Sequence, residues 1–120
     1  MFGVDEVFVE RSFEEMEEDM LKLQRESERQ KKEAAELLRR SDELRSRSVD
    51  LRSADPEAAE EMWQESEELR AESREMVRLS VDSALKAGDI KHRLEIHDQI
   101  AAVVDRADEI WKRAVRAGRP

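Results

Sequence analysis

The stretch LRSADPEAAE, residues 51–60, decides how this chain folds, because two long periodic runs meet there. Asp55 carries a carboxylate that can accept from the free amides of a helix start. Pro56 suits the first helical position, where its fixed φ is already helical and no amide hydrogen is lost. One helix should therefore end near Arg52 and another begin at Pro56.

Reading backwards from the joint, Leu51, Ser48, Leu44, Ser41, Leu37, Ala34, Gln30, Ser27, Leu23, Met20, Met16 and Phe13 recur in alternating steps of three and four. Reading forwards, Ala59, Met62, Ser66, Leu69, Ser73, Met76, Ser80, Ser83 and Ala87 keep the same rhythm. Such a heptad pattern marks a narrow seam between paired helices. A joint this short makes the two helices antiparallel neighbours, with residue i of the first facing roughly residue 108 − i of the second. Ala87 is then expected opposite Leu21.

The outer limits come from capping signals. SFEE at residues 12–15 offers a reciprocal capping box, which starts the first helix at Ser12. Gly88 is expected to end the second in the left-handed conformation, and Asp89 to cap a third. The third carries a wider apolar set, from Ile90 and Leu94 through Ile96, Ile100, Val103, Val104, Ala107, Ile110 and Trp111 to Ala114 and Val115. That width suits a helix packed against two others. The expected fold class is all-α: an antiparallel three-helix bundle with a long coiled-coil hairpin, its helices at about 12–52, 56–87 and 89–116. Residues 12–117 form one domain, 1–11 an apolar N-terminal docking segment and 118–120 a frayed tail. Trp63 and Trp111 are expected to close the same end of this bundle.

One seam position in each arm is a row of small residues: Ser27, Ala34, Ser41 and Ser48 in the first, Ala59, Ser66, Ser73, Ser80 and Ala87 in the second. Small side chains let two helix backbones approach more closely than large ones do. Each buried hydroxyl can bond the carbonyl one turn back in its own helix.

Charged residues make up 44% of the 120 residues, and the net charge is −9. An excess of acids disfavours nucleic acid and anionic membranes as partners. The absence of cysteine excludes disulfides, thiolate nucleophiles and cysteine-bound zinc. No apolar run reaches membrane-spanning length, and the opening MFGVDEVFVE is acidic where a signal peptide is basic, so the expected location is cytoplasmic. The charge order also fits a hairpin, since the first helix ends basic and the second begins acidic.

All three phenylalanines lie in the first thirteen residues. In the three-helix scheme Ser12 to Met20 overhangs the second helix, leaving Phe2, Val4, Val7, Phe8, Val9, Phe13, Met16 and Met20 either to fold back on the third helix or, the favoured reading, to form an interface with a second copy or another protein.

Histidine and carboxylates cluster only in LEIHDQ, residues 94–99, where Glu95, His97 and Asp98 follow His92. Glu65 and Glu68 form a further i, i+3 pair. These two pairs, Glu65 with Glu68 and Glu95 with Asp98, are similar to the ExxE and ExxD pattern of MazG-like nucleotide pyrophosphohydrolases, a resemblance covering about a quarter of the chain. It implies magnesium held between helices. DRADEIWKRA, residues 105–114, together with the ExxxD spacing of Glu15 and Asp19, resembles PhoU-type metal-binding regulators, three-helix units, which implies a divalent metal ion. The residues themselves show no phosphate-binding glycine loop and no nucleophile motif. The expected function is a non-enzymatic interaction or scaffold module, oligomeric through its N-terminal segment and without a cofactor. A PhoU-like regulator or a MazG-like enzyme using Glu65, Glu68, Glu95, His97 and Asp98 is the alternative.

Overall fold

A computed structural model describes the backbone from Phe2 to Gly118 and the side chains from Ser12 to Gly118. Helix α1 spans Phe2–Leu51 and helix α2 spans Pro56–Arg116, 50 and 61 residues long. Between them the Asp55 amide donates to the Leu51 carbonyl at 2.8 Å. Asp55 Oδ1 accepts from the Ala58 amide at 3.2 Å, so Asp55 caps α2 and Pro56 opens it.

The described chain is all-helical, but it has two helices where three were expected. Gly88 lies inside α2, and its φ is not positive. The seam explains why. Ser80, Ser83, Ala87, Ile90, Leu94 and His97 continue the three-four steps across Gly88 without a change of phase, so a turn there would forfeit the pairing on both sides. A glycine inside a helix costs only about 1 kcal/mol relative to alanine. The left-handed glycine that does end α2 is Gly118, with φ 74° and its amide on the Val115 carbonyl at 3.0 Å. Likewise Ser12 does not start a helix: α1 passes straight through it, and Val9, four residues before Phe13, keeps the seam's phase.

The fold divides into two compact units. One comprises Leu21–Lys86, the other Met1–Met20 together with Ala87–Pro120. Ser12 to Met20 is therefore not an overhang; it shares a unit with the continuation of α2. There Phe13, Met16 and Met20 are half-buried, as are Ile90, Leu94 and His97, and the Phe13 and His97 rings lie 3.7 Å apart between centroids.

In the Leu21–Lys86 unit the small-residue row is the core. Its fully buried side chains are serines: Ser41, Ser48, Ser66 and Ser80. The hydroxyls mostly cross the seam instead of bonding back along their own helix. Ser27 Oγ donates to the Ser80 carbonyl and Ser80 Oγ to the Ser27 carbonyl, each at 2.9 Å. Ser41 donates to the Ser66 carbonyl at 2.8 Å, Ser73 to that of Ala34 at 2.8 Å and Ser48 to that of Ala59 at 2.6 Å. Only Ser66 donates back, to the Trp63 carbonyl at 2.6 Å. A hydroxyl two bonds from its Cα can reach the other backbone only if the helices lie close together, so the small residues and the bonds enforce one another. These pairs fix the register: 27 with 80, 34 with 73, 41 with 66 and 48 with 59, one position from the expected alignment. No buried side-chain nitrogen or oxygen among the described residues lacks a partner.

Charge plays a smaller part than the sequence suggests. Arg29 with Glu26, Arg39 with Glu36 and Arg78 with Glu75 pair within single helices. The arginine hydrogen bonds hold the carboxyls of Glu26, Glu36 and Glu75 below their ordinary range. Among the described residues the one ion pair between the helices, Arg70 with Asp42 at 2.7 Å, places the base on α2 and the acid on α1, against the expected gradient.

Candidate functional site

Two pentapeptides, SDELR at 41–45 and SEELR at 66–70, meet near the middle of the hairpin. Four residues after each serine, an arginine lies one turn along the same helix and reaches across the seam. Arg45 Nε donates to Ser66 Oγ at 3.2 Å, and Arg70 Nε to Ser41 Oγ at 3.1 Å. Each hydroxyl therefore accepts from an arginine while donating to a carbonyl, which commits its one hydrogen and leaves it nothing to donate to a ligand. Arg45 also lies over the Trp63 ring, 4.5 Å from its centroid, and Trp63 Nε1 donates to Glu67 at 3.1 Å.

The serine row is visible in the heptads, but the arginine clasp is not. The repeated Ser-acid-Glu-Leu-Arg spacing is the signal that could have revealed it. Arg70→Met should lower stability by about 1 kcal/mol, since it removes two part-exposed bonds to a charged group. Arg78→Met, which breaks only a pair within one helix, should cost a few tenths of a kcal/mol. Denaturant unfolding of the two variants compares them directly.

The expected metal ligands are exposed or half-buried and belong to different units. Glu65 and Glu68 are exposed in the Leu21–Lys86 unit; Glu95 and Asp98 are exposed, and His97 half-buried, in the other. His97 Nδ1 is 3.8 Å from Asp98 Oδ1. No three histidine, aspartate or glutamate side chains converge as metal ligands among the described residues. Around His97 there is an open depression lined by Phe13, Glu14, Glu17, Leu94 and Asp98, a half-apolar hollow with an acidic rim. Of the expected interface residues, Phe13, Met16 and Met20 are half-buried, while the side chains of Phe2, Val4, Val7, Phe8 and Val9 lie outside the described residues.

The larger feature of this unit is apolar. Ile96, Ile100, Val103, Val104, Ile110, Trp111 and Val115 are all exposed, with Ile100 at 58%, Val103 at 66% and Ile110 at 61% of full accessibility. From the sequence, this broad face is expected to pack within a three-helix bundle. With α2 unbroken, the described residues contain no third helix to cover it, and the reason for bringing Trp111 to Trp63 falls away. Trp111 is 60% exposed, beside Lys112, Val115 and Arg116.

No protein-family model matches the chain, and neither does any curated protein or solved structure. No described helix is long and apolar enough to cross a membrane.

Proposed function

We propose that this protein is a non-enzymatic interaction module that self-associates through the unit holding its N-terminal segment and the far half of α2. The observation that carries this reading is the exposed apolar run on α2 from Ile96 to Val115. A contiguous apolar surface on that scale marks a contact site more often than an ordinary surface. In the serine-seamed hairpin the buried hydroxyls and the two seam arginines bond one another and the backbone, so the seam there serves to hold the helices together.

The test is thermal melting of the full chain over a hundredfold range of concentration. Assembly makes the melting temperature rise with concentration, because mass action favours the associated, folded form over unfolded single chains. A melting temperature independent of concentration overturns the proposal. The same scan with and without magnesium addresses the metal-dependent alternative, which requires a rise on adding the ion.

A further inference from the structure

Part of the exposed apolar surface of α2 falls into a second heptad row, separate from the one that faces α1, while the exposed Val104, Trp111 and Val115 continue the phase of the first. Ile96, Ile100, Val103, Ala107 and Ile110, all exposed, and the half-buried Ala114 follow steps of four, three, four, three and four. Leu94 and His97, which are half-buried in the unit with Phe13 beside His97, belong to the first row. At 3.6 residues per turn the two rows lie roughly a quarter-turn or slightly more apart around the helix. Two apolar faces at that separation are what a helix in a four-helix bundle presents, one to each neighbour. The helix supplies both faces, and among the described residues only the first has a companion.

We propose that a second copy of this chain covers the second row, α2 packing antiparallel on its counterpart about a twofold axis level with Asp105, so that two hairpins join into a four-helix bundle. This rests on the self-association reading above and names its surface. A twofold interface must be self-complementary, with residue i meeting j and j meeting i. The second row has that property. Antiparallel pairing sets Ile96 against Ala114 of the second copy, Val103 against Ala107 and Ile100 against Ile110, so two of the three layers match a large residue with a small one. Val104 meets its own counterpart on the edge nearer α1, and Trp111 meets His97 of the second copy. On the other edge Arg106 approaches its counterpart at a solvent-exposed rim, where salt screens the repulsion.

The area is also appropriate. Ile96, Ile100, Val103 and Ile110, with Val104 and Trp111 at the edge, each have about half of their surface free and together expose several hundred Å² per copy, approaching the ~800 Å² that a standard interface takes from each partner.

Sedimentation equilibrium of the full chain decides the matter with two charge variants and two cysteine variants. Ile100→Glu should reduce the dimer to monomer while helical content is unchanged, since position 100 is exposed within a single copy. Leu85→Glu, at an exposed leucine of the other unit, should leave the dimer intact. Val104→Cys should form a covalent dimer on mild oxidation, whereas Ile100→Cys, whose antiparallel neighbour is Ile110, should not. A wild-type dimer that survives Ile100→Glu, or cross-linking by the Ile100→Cys variant and not by the Val104→Cys variant, overturns this surface while self-association stands. A wild-type chain that is monomeric at every concentration overturns self-association itself.

Discussion

Ser80→Leu should destabilise the hairpin by about 3 kcal/mol, whereas Ser80→Ala should cost about 1 kcal/mol or less. In an ordinary coiled coil the order is reversed, because leucine is the residue that a seam position favours. Here Ser80 is almost fully buried, with its hydroxyl 2.9 Å from the Ser27 carbonyl and 3.0 Å from the Ser27 hydroxyl. The added hydrocarbon would have to occupy space already filled by the opposite backbone. It can be housed only by prising the helices apart, which also breaks the bonds at 34–73 and 41–66. Alanine keeps the closeness and loses one hydrogen bond. Denaturant unfolding of the two variants measures the difference, and a leucine variant more stable than the alanine one would show that the helices are not held together by their small residues.

Gly88 provides the second large effect. Gly88→Pro should cost about 3 kcal/mol or more, because proline removes the amide that donates one turn back and its ring collides with that turn. Gly88→Ala should do the opposite and stabilise by up to about 1 kcal/mol. Beyond its own turn of helix, a Cβ built at Gly88 meets no atom within 4 Å, so no clash offsets the gain in helix propensity. Had Gly88 ended a helix in the left-handed conformation, alanine would be strained there and the sign would reverse. Thermal unfolding followed by helical circular dichroism separates the two results.

Gly88 also shows where the sequence can and cannot be read. The hairpin is legible because Asp55 and Pro56 act locally: a cap and a fixed φ leave the chain little choice at that point. The pairing is legible to within one position because small residues recur every seventh place on both arms. The expectation of a third helix gives one glycine and the aspartate after it more weight than a seam whose phase continues through them as Ala87, Ile90 and Leu94. A local signal worth about 1 kcal/mol is there set against packing along the whole helix. Ser12 misleads in the same way, since a capping box is a start signal only where the apolar pattern begins there. The apolar face at residues 96–115 reads as wide enough for two neighbours, but the composition of one chain does not say whether the second neighbour is its own.

The direction of the serine hydroxyls is not legible at all. A serine in a helix can donate back along its own chain or across to a neighbour, and the choice depends on the separation of the helices, which only the folded structure sets. Ser66 and Ser41 occupy equivalent places in the two SDELR-like segments and still choose differently.

The serine seam has a thermal consequence. The heat-capacity change of unfolding grows with the apolar area exposed and shrinks with the polar area. In the Leu21–Lys86 unit the fully buried side chains are hydroxyls, and the buried hydrocarbon comes from Ala34, Leu37 and Ala59 together with the half-buried Leu23, Leu44, Met62, Leu69 and Met76. Melting this hairpin therefore exposes a larger polar share of surface than melting a leucine seam would, and its heat-capacity increment per residue should fall below the ~12–15 cal/mol/K usual for globular domains. A small increment makes the curve of stability against temperature shallow. The serine-seamed unit should accordingly hold nearly constant stability from cold to warm, and its resistance to cooling should exceed that of a leucine-cored hairpin of the same length.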